Sequence, residues 1–373
     1  MKPDDITQAV LARDDVARYL GESAGTDSDA RRRLEAYLDE LRTTQRYRFY
    51  RALQHPLYPI LRKVERVAEG LEHVHAALHA GRIVYVSNHK SHLDYLVEPL
   101  VLDDHGIRPP LTAAGINLFG GAFGLIHRHV TGAIPIRRNS KDPLYLVTLR
   151  AYVAELLKRR DLLFYVEGGR SYTGELKSPK TGLLQAALLA DRAELSVVPM
   201  AVAYDLVLED RIISRAALEK KKRPFSTEIA EMARHAVGYR SRAFVTFGAP
   251  IPLGDYDPSS RRALVTLAQR IHREIGLLYK VLPTALVAAA GRPRMPLGEL
   301  RDRIDSMLVG LSAQGANLSV RTGAEAVEQG VELLSARGVV VVEQDRLRVR
   351  DRIVFRYYAR TLEHLLQPRK AAH

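Results

Sequence analysis

The chain has 373 residues, 46% of them hydrophobic and 27% charged, a balance that supports two or three globular units with a full core and excludes a disordered polymer. It has no cysteine, which removes disulfides, iron–sulfur clusters, zinc–thiolate sites and every cysteine nucleophile. Its 56 Lys+Arg against 43 Asp+Glu give a net charge of +13, which favours an anionic partner: nucleic acid, an anionic lipid surface or a phosphorylated substrate.

The first residues, Met1-Lys2-Pro3-Asp4-Asp5, are acidic where a secretion signal is basic and then apolar, so the chain is expected to stay in the cytoplasm. Residues 1–80 mix polar and apolar positions at helical spacing, with Thr26 and Ser28 as cap residues, and predict a helical region. From Gly81 the texture changes to short β-branched runs at 83–87, 111–114, 133–136, 162–166, 197–204 and 243–247. These are predicted strands, and helix-length segments such as 143–159 separate them. Residues 81–292 are therefore predicted to be an α/β domain, a mixed and mostly parallel sheet flanked by helices. The longest uncharged run, 109–126, holds two prolines and four glycines and is not a spanning helix. In residues 293–373, Leu297, Leu300, Ile304, Met307, Leu308 and Leu311 keep helical spacing and 322–336 forms a second helix. A hairpin turns at Gln344-Asp345 and 353–366 closes the chain as an amphipathic helix. Helix, helix and hairpin resemble a winged-helix unit.

Three clusters carry candidate chemistry. The first, Asn88-His89-Lys90-Ser91-His92-Leu93-Asp94, follows a predicted strand, and the carboxyl ends of strands are where open α/β sheets bind ligands. With His89 on the loop and Asp94 in the first helical turn, the two side chains can meet as a base whose tautomer the carboxylate fixes. Ser91-x-x-Asp94 also reads as a capping box, and both readings can hold together. His92 competes with His89, and a metal site of His89, His92 and Asp94 lacks a fourth ligand. The second cluster, 132–138, is a strand that delivers Arg137 and Arg138, whose planar forks suit a phosphate or simply face solvent. In the third, Glu167-Gly168-Gly169-Arg170-Ser171, the two glycines let main-chain amides approach a ligand closely, or mark a plain turn. Gly21-Glu22-Ser23-Ala24-Gly25 matches a serine nucleophile elbow letter for letter but has no strand before it.

Taken in order with Val198-Pro199, these blocks resemble the four acyltransferase motifs of the membrane-associated glycerol-3-phosphate acyltransferase family. The resemblance covers residues 84–252. Glu-Gly-Gly-Arg-Ser with Ile-Arg-Arg is similar to the enzymes that acylate the first position of glycerol 3-phosphate or dihydroxyacetone phosphate. The lysophosphatidic acid acyltransferases usually carry Glu-Gly-Thr-Arg-Ser instead. The resemblance implies that His89 and Asp94 deprotonate the acceptor hydroxyl. It places acceptor binding at Arg137, Arg138, Glu167, Gly168, Gly169, Arg170 and Ser171, with acyl-CoA or acyl-carrier protein as co-substrate and neither a metal nor another cofactor. It also implies peripheral contact with an anionic membrane at its cytoplasmic face, for which 46–51 and 220–225 mix cations with aromatics. A DNA-binding regulator is the competing class. Against it, 322–336 carries Glu325, Glu328 and Glu332 and no Lys or Arg.

Overall fold

The computed structural model describes residues 4–23, 29–52, 64–119, 126, 128–219 and 241–367. The chain starts with α1 (Asp4–Leu11), α2 (Asp14–Ser23) and α3 (Ala30–Leu41). Their apolar residues Ile6, Val10, Val16, Leu34, Leu38 and Leu41 are buried, which makes each helix a one-sided cover for the domain behind it.

The α/β domain runs through β1 (Val64–Glu69), α4 (Leu71–Ala80), β2 (Arg82–Ser87), α5 (Asp94–Asp104), β3 (Leu111–Gly115), β4 (Ala133–Ile136) and α6 (Pro143–Leu157). It continues through β5 (Leu162–Tyr165), α7 (Gly182–Leu188), β6 (Leu195–Tyr204), α8 (Asp210–Glu219), β7 (Ser241–Phe247), β8 (Ile251–Pro252) and α9 (Arg261–Leu278). The strands lie in the order β1-β7-β6-β2-β5-β3-β4, with β8 added to β6. Parallel pairing holds from β6 through β2, β5 and β3 to β4, whereas β7 and β8 run antiparallel to β6, so the sheet is mixed. Ile83, Val84, Tyr85 and Val86 are all at most 1% exposed, as expected of a central strand covered on both faces. Pro199 sits in β6 between the stretch paired with β8 and the stretch paired with β7, where no ladder donor is required of it.

The N-terminal segment departs from the all-helical expectation for 1–80. Val64–Glu69 is a strand, parallel to β7 at the sheet edge. Only Val64 of its six residues is buried, so an edge position leaves no apolar run to announce it. The other predicted strands are present within two residues of their expected limits.

The C-terminal unit contains α10 (Pro283–Ala290), β9 (Arg294–Pro296), α11 (Leu297–Ala313), α12 (Gly323–Ala336), β10 (Val340–Glu343) and β11 (Arg346–Val349). Gln344 and Asp345 take φ of 50° and 58°, the turn a two-residue hairpin requires. β9 pairs with β11 to make a three-stranded sheet. The expected helices and hairpin are thus joined by α10 and β9. β9 is three residues long, too short to show a period. The closing helix is in two pieces, α13 (Arg352–Arg360) and α14 (Glu363–Leu366).

Candidate active site

Asp94 opens α5, one loop beyond β2, and the loop folds back on its carboxylate. Oδ2 of Asp94 accepts from the amides of Lys90 at 2.7 Å and Ser91 at 2.9 Å, and from His89 Nδ1 at 2.8 Å. The Ser91 hydroxyl accepts from the Leu93 amide at 2.9 Å. The capping box and the His–Asp pair are therefore one arrangement: the bonds that start the helix also aim the carboxylate at the imidazole. Asp94 Oδ1 accepts from the Tyr204 hydroxyl at 2.7 Å. Burial pushes the Asp94 carboxyl up to about 6, against the pull of these donors and Arg170.

The His89 ring stacks on Tyr165 with centroids 4.0 Å apart and planes at 11°. Burial holds its pKa well below the usual histidine value, and Arg170, His92, Arg138 and Lys177 add to the effect. His89 is thus neutral at physiological pH, with Nδ1–H committed to Asp94 and Nε2 left to accept a proton. His89 and His92 line a cleft. Its remaining wall is largely apolar, with Tyr95, Leu96, Pro99, Ala113 and Leu118, and Arg138 stands at its rim.

The third cluster braces this loop. Glu167 Oε1 accepts from the His89 amide at 2.9 Å, and Oε2 from the Lys177 amide at 3.1 Å. The Ser171 amide donates to the His89 carbonyl at 2.9 Å. Gly168 takes φ +68°, which a side chain would strain, and a Cβ on Gly169 would stand 3.4 Å from the Arg138 guanidinium. Arg170 is 8% exposed and lies over the Tyr172 ring at 5.2 Å, and Ser171 is fully buried.

The two adjacent arginines part company. Arg138 faces the cleft, but Arg137 Nε donates to Glu40 Oε1 of α3 at 2.7 Å, its Nη2 donates to Oε2, and its guanidinium lies over Tyr37 and Tyr145. Of the two arginines expected at the phosphate, the structure thus brings Arg138 to the cleft and pairs Arg137 with α3. Successive residues leaving a strand point to opposite sides, so one cleft receives one of them. Glu167 likewise spends both carboxylate oxygens on main-chain amides rather than on the cleft.

Several residues that support the site carry little sequence signal. Buried Lys90 donates to the carbonyls of Gly174 at 2.6 Å and Glu175 at 3.1 Å, and burial pulls its pKa down to about 8. Glu209 Oε1 accepts from the Ser91 hydroxyl at 2.7 Å and the His92 amide at 2.6 Å. Tyr204 and Glu209 lie at and beyond the carboxyl end of β6. A polar side chain closing a wholly apolar strand was the only clue to the first. Among the described residues no group of three or more His, Cys, Asp or Glu forms a metal-binding cluster, and no helix is long and apolar enough to cross a membrane. Ser23 ends α2 with no strand before it, so the serine elbow lacks its architecture. The 220–225 patch falls outside the described residues.

Residues 65–203 match the acyltransferase family. The chain is similar to the curated glycerol-3-phosphate acyltransferases of Actinobacillus succinogenes, 36% identical over 62% of this chain and 29% of that protein, and Shewanella pealeana, 29% identical over 89% of this chain and 46% of that protein. It thus spans less than half the length of these relatives. A solved 1-acyl-sn-glycerophosphate acyltransferase from Thermotoga maritima aligns at 18% identity over 57% of this chain and 71% of that one, with a TM-score of 0.35.

Proposed function

We propose that this chain, whose residues 65–203 match the acyltransferase family, moves a fatty acyl group from a thioester, acyl-CoA or acyl-carrier protein, to the sn-1 hydroxyl of glycerol 3-phosphate, giving lysophosphatidic acid. The observation that carries the proposal is the 2.8 Å contact between His89 Nδ1 and Asp94 on a cleft that also has a cationic rim. The acceptor hydroxyl gives its proton to His89 Nε2 while its oxygen bonds to the thioester carbonyl carbon. The C–S bond then breaks, and the imidazolium returns the proton to the departing thiolate. Asp94 holds the tautomer and stabilises the transient cation. General-base assistance of this kind contributes about 10²- to 10⁴-fold. Arg138 and Arg170 supply the charge for the acceptor phosphate, and the wall of Leu96, Pro99, Ala113 and Leu118 suits an acyl chain.

The chain works at an anionic membrane surface in this reading. Residues 47–52 are helical; Phe49 is 61% exposed between Arg48 and Arg51, and the next residue, Tyr50, lines the cleft.

The test follows free thiol release from palmitoyl-CoA with glycerol 3-phosphate, dihydroxyacetone phosphate or lysophosphatidic acid supplied in turn. Turnover with glycerol 3-phosphate is expected, and a loss of at least 100-fold in His89→Ala and Asp94→Asn at unchanged Tm. Turnover with dihydroxyacetone phosphate or lysophosphatidic acid alone would reassign the acceptor. Binding of duplex DNA without thiol release from any acceptor would overturn the enzymatic reading.

A further inference from the structure

A second concave site lies at the other end of the sheet from His89. A groove between the N-terminal helices and the strand starts is lined by Arg42, Arg108, Arg159 and Arg160, together with Asp5 and Thr44. β3 borders both places: Leu111 lines the groove, while Pro110 and Thr112 on either side of it line the cleft.

The groove holds more positive than negative charge. Half-buried Arg160 donates to the neutral side chain of Gln45. Its carboxylate neighbour Asp161 is already shared with the Ile83 amide at 2.9 Å and with Arg82 at 3.7 Å. Arg159 reaches only as far as Asp5, at 4.0 Å, and exposed Asp39 lies 3.9 Å from Arg42. Burial, and then the nearness of Arg108, holds the Arg160 guanidinium below its ordinary pKa, as expected of a cation desolvated beside another cation. Such crowding costs free energy, and an anion placed among the guanidiniums would relieve it.

We propose that this groove binds a ligand carrying two or more phosphate groups. Planar guanidinium forks pair with phosphate oxygens two at a time, and four of them around one groove exceed what a single phosphate can engage. The groove's floor is shared with the catalytic side. The Thr44 amide donates to the Arg128 carbonyl at 2.9 Å, and Gln45 bridges to Thr131, which lines the cleft. An occupant that draws on Arg42, Thr44 and Arg160 therefore acts on the segment that forms the cleft wall.

The experiment is calorimetric titration of the full chain with pyrophosphate and, separately, orthophosphate at low salt. Pyrophosphate is expected to bind at least 10-fold more tightly than orthophosphate. The double charge reversal Arg108→Glu with Arg159→Glu is expected to weaken pyrophosphate binding at least 10-fold, with Tm and thioester turnover at saturating substrate within twofold of the parent. Both side chains are exposed, so the variant is expected to fold. No binding of pyrophosphate, or equal binding to parent and variant, as a site at Arg138 and Arg170 would give, overturns the proposal. So does sedimentation with phosphatidylglycerol vesicles that depends on these two arginines while pyrophosphate is inert, since the ligand is then a lipid headgroup. The titrations and the vesicle sedimentation require no acyl transfer, so the binding result stands apart from the proposed function.

Discussion

Arg137 and Arg138 are chemically the same residue with different work, and the difference is a matter of strand geometry. Arg138→Gln is expected to raise KM for glycerol 3-phosphate at least 10-fold, because a neutral amide replaces a cation at the cleft rim. It should also move the acid limb of the kcat/KM profile. Burial, then Arg170, His92 and Arg138, hold the His89 imidazole below its usual pKa by disfavouring the imidazolium. Taking away one cation makes protonation easier, so the base is lost at a higher pH and the limb shifts upward toward pH ~6.5. Arg137→Gln is expected to leave KM and the limb in place and to lower stability by about 1 kcal/mol, since it removes a partly exposed ion pair and a stacked guanidinium from α3. A pH series on both variants, with a urea melt of each, separates the two roles. A shift of the limb in Arg137→Gln would show that the pairing with Glu40 yields during turnover. His89 also carries a stability term of the same sign. The unfolded chain takes up that proton below pH ~6.5 while the folded chain resists it, so stability is expected to fall as the pH drops through this window.

One element that joins the α/β domain to the C-terminal unit is the loop after Ser171. Gly174 takes φ +94°, and a Cβ there would come within 2.1 Å of the Tyr357 carbonyl oxygen in α13. The same glycine's carbonyl accepts from Lys90 Nζ. Gly174→Ala is therefore expected to cost at least about 2 kcal/mol in urea unfolding and to lower kcat, because a loop pushed off α13 withdraws an anchor from the residue next to His89. Gly182→Ala, at the start of α7 with open space around its Cβ, is the control and is expected to be neutral or slightly stabilising. Equal effects in the two variants would deny the loop this coupling. The close approach of Gly174 to α13 is also the kind of fact the sequence does not contain. β2, β5 and β6 are legible because burial on both faces demands unbroken apolar runs, and the His89–Asp94 pair is legible because five residues of spacing and one helix start determine it. β1 is not, since a solvated edge strand spends its residues on Glu and Arg. Nor is the partner of Arg137, which lies 97 positions away in α3.

At the scale of the whole molecule, the net charge of +13 is enough to draw the chain to an anionic surface, but charge alone does not orient it. Orientation requires an apolar contact on one side, and the helix at 47–52 offers Phe49 there, 61% exposed beside Arg48 and Arg51. Since Tyr50 lines the cleft, insertion of Phe49 would bring the cleft mouth to the lipid surface, where an acyl chain can enter without crossing water. Phe49→Ser is expected to weaken binding to phosphatidylglycerol vesicles about 10-fold, in keeping with roughly 1.5–3 kcal/mol for a fully buried phenyl ring of which an interface covers part. It should raise KM for a long-chain acyl-CoA on vesicles and leave kcat unchanged with a short-chain, water-soluble thioester. Raised salt should weaken the parent's binding by screening the arginines and leave the ratio between parent and variant nearly constant, because the lost contact is apolar. Vesicle sedimentation at two salt concentrations tests both statements together. If Phe49→Ser binds as the parent does at each, Phe49 is not a membrane contact, and the proposed route from bilayer to His89 fails.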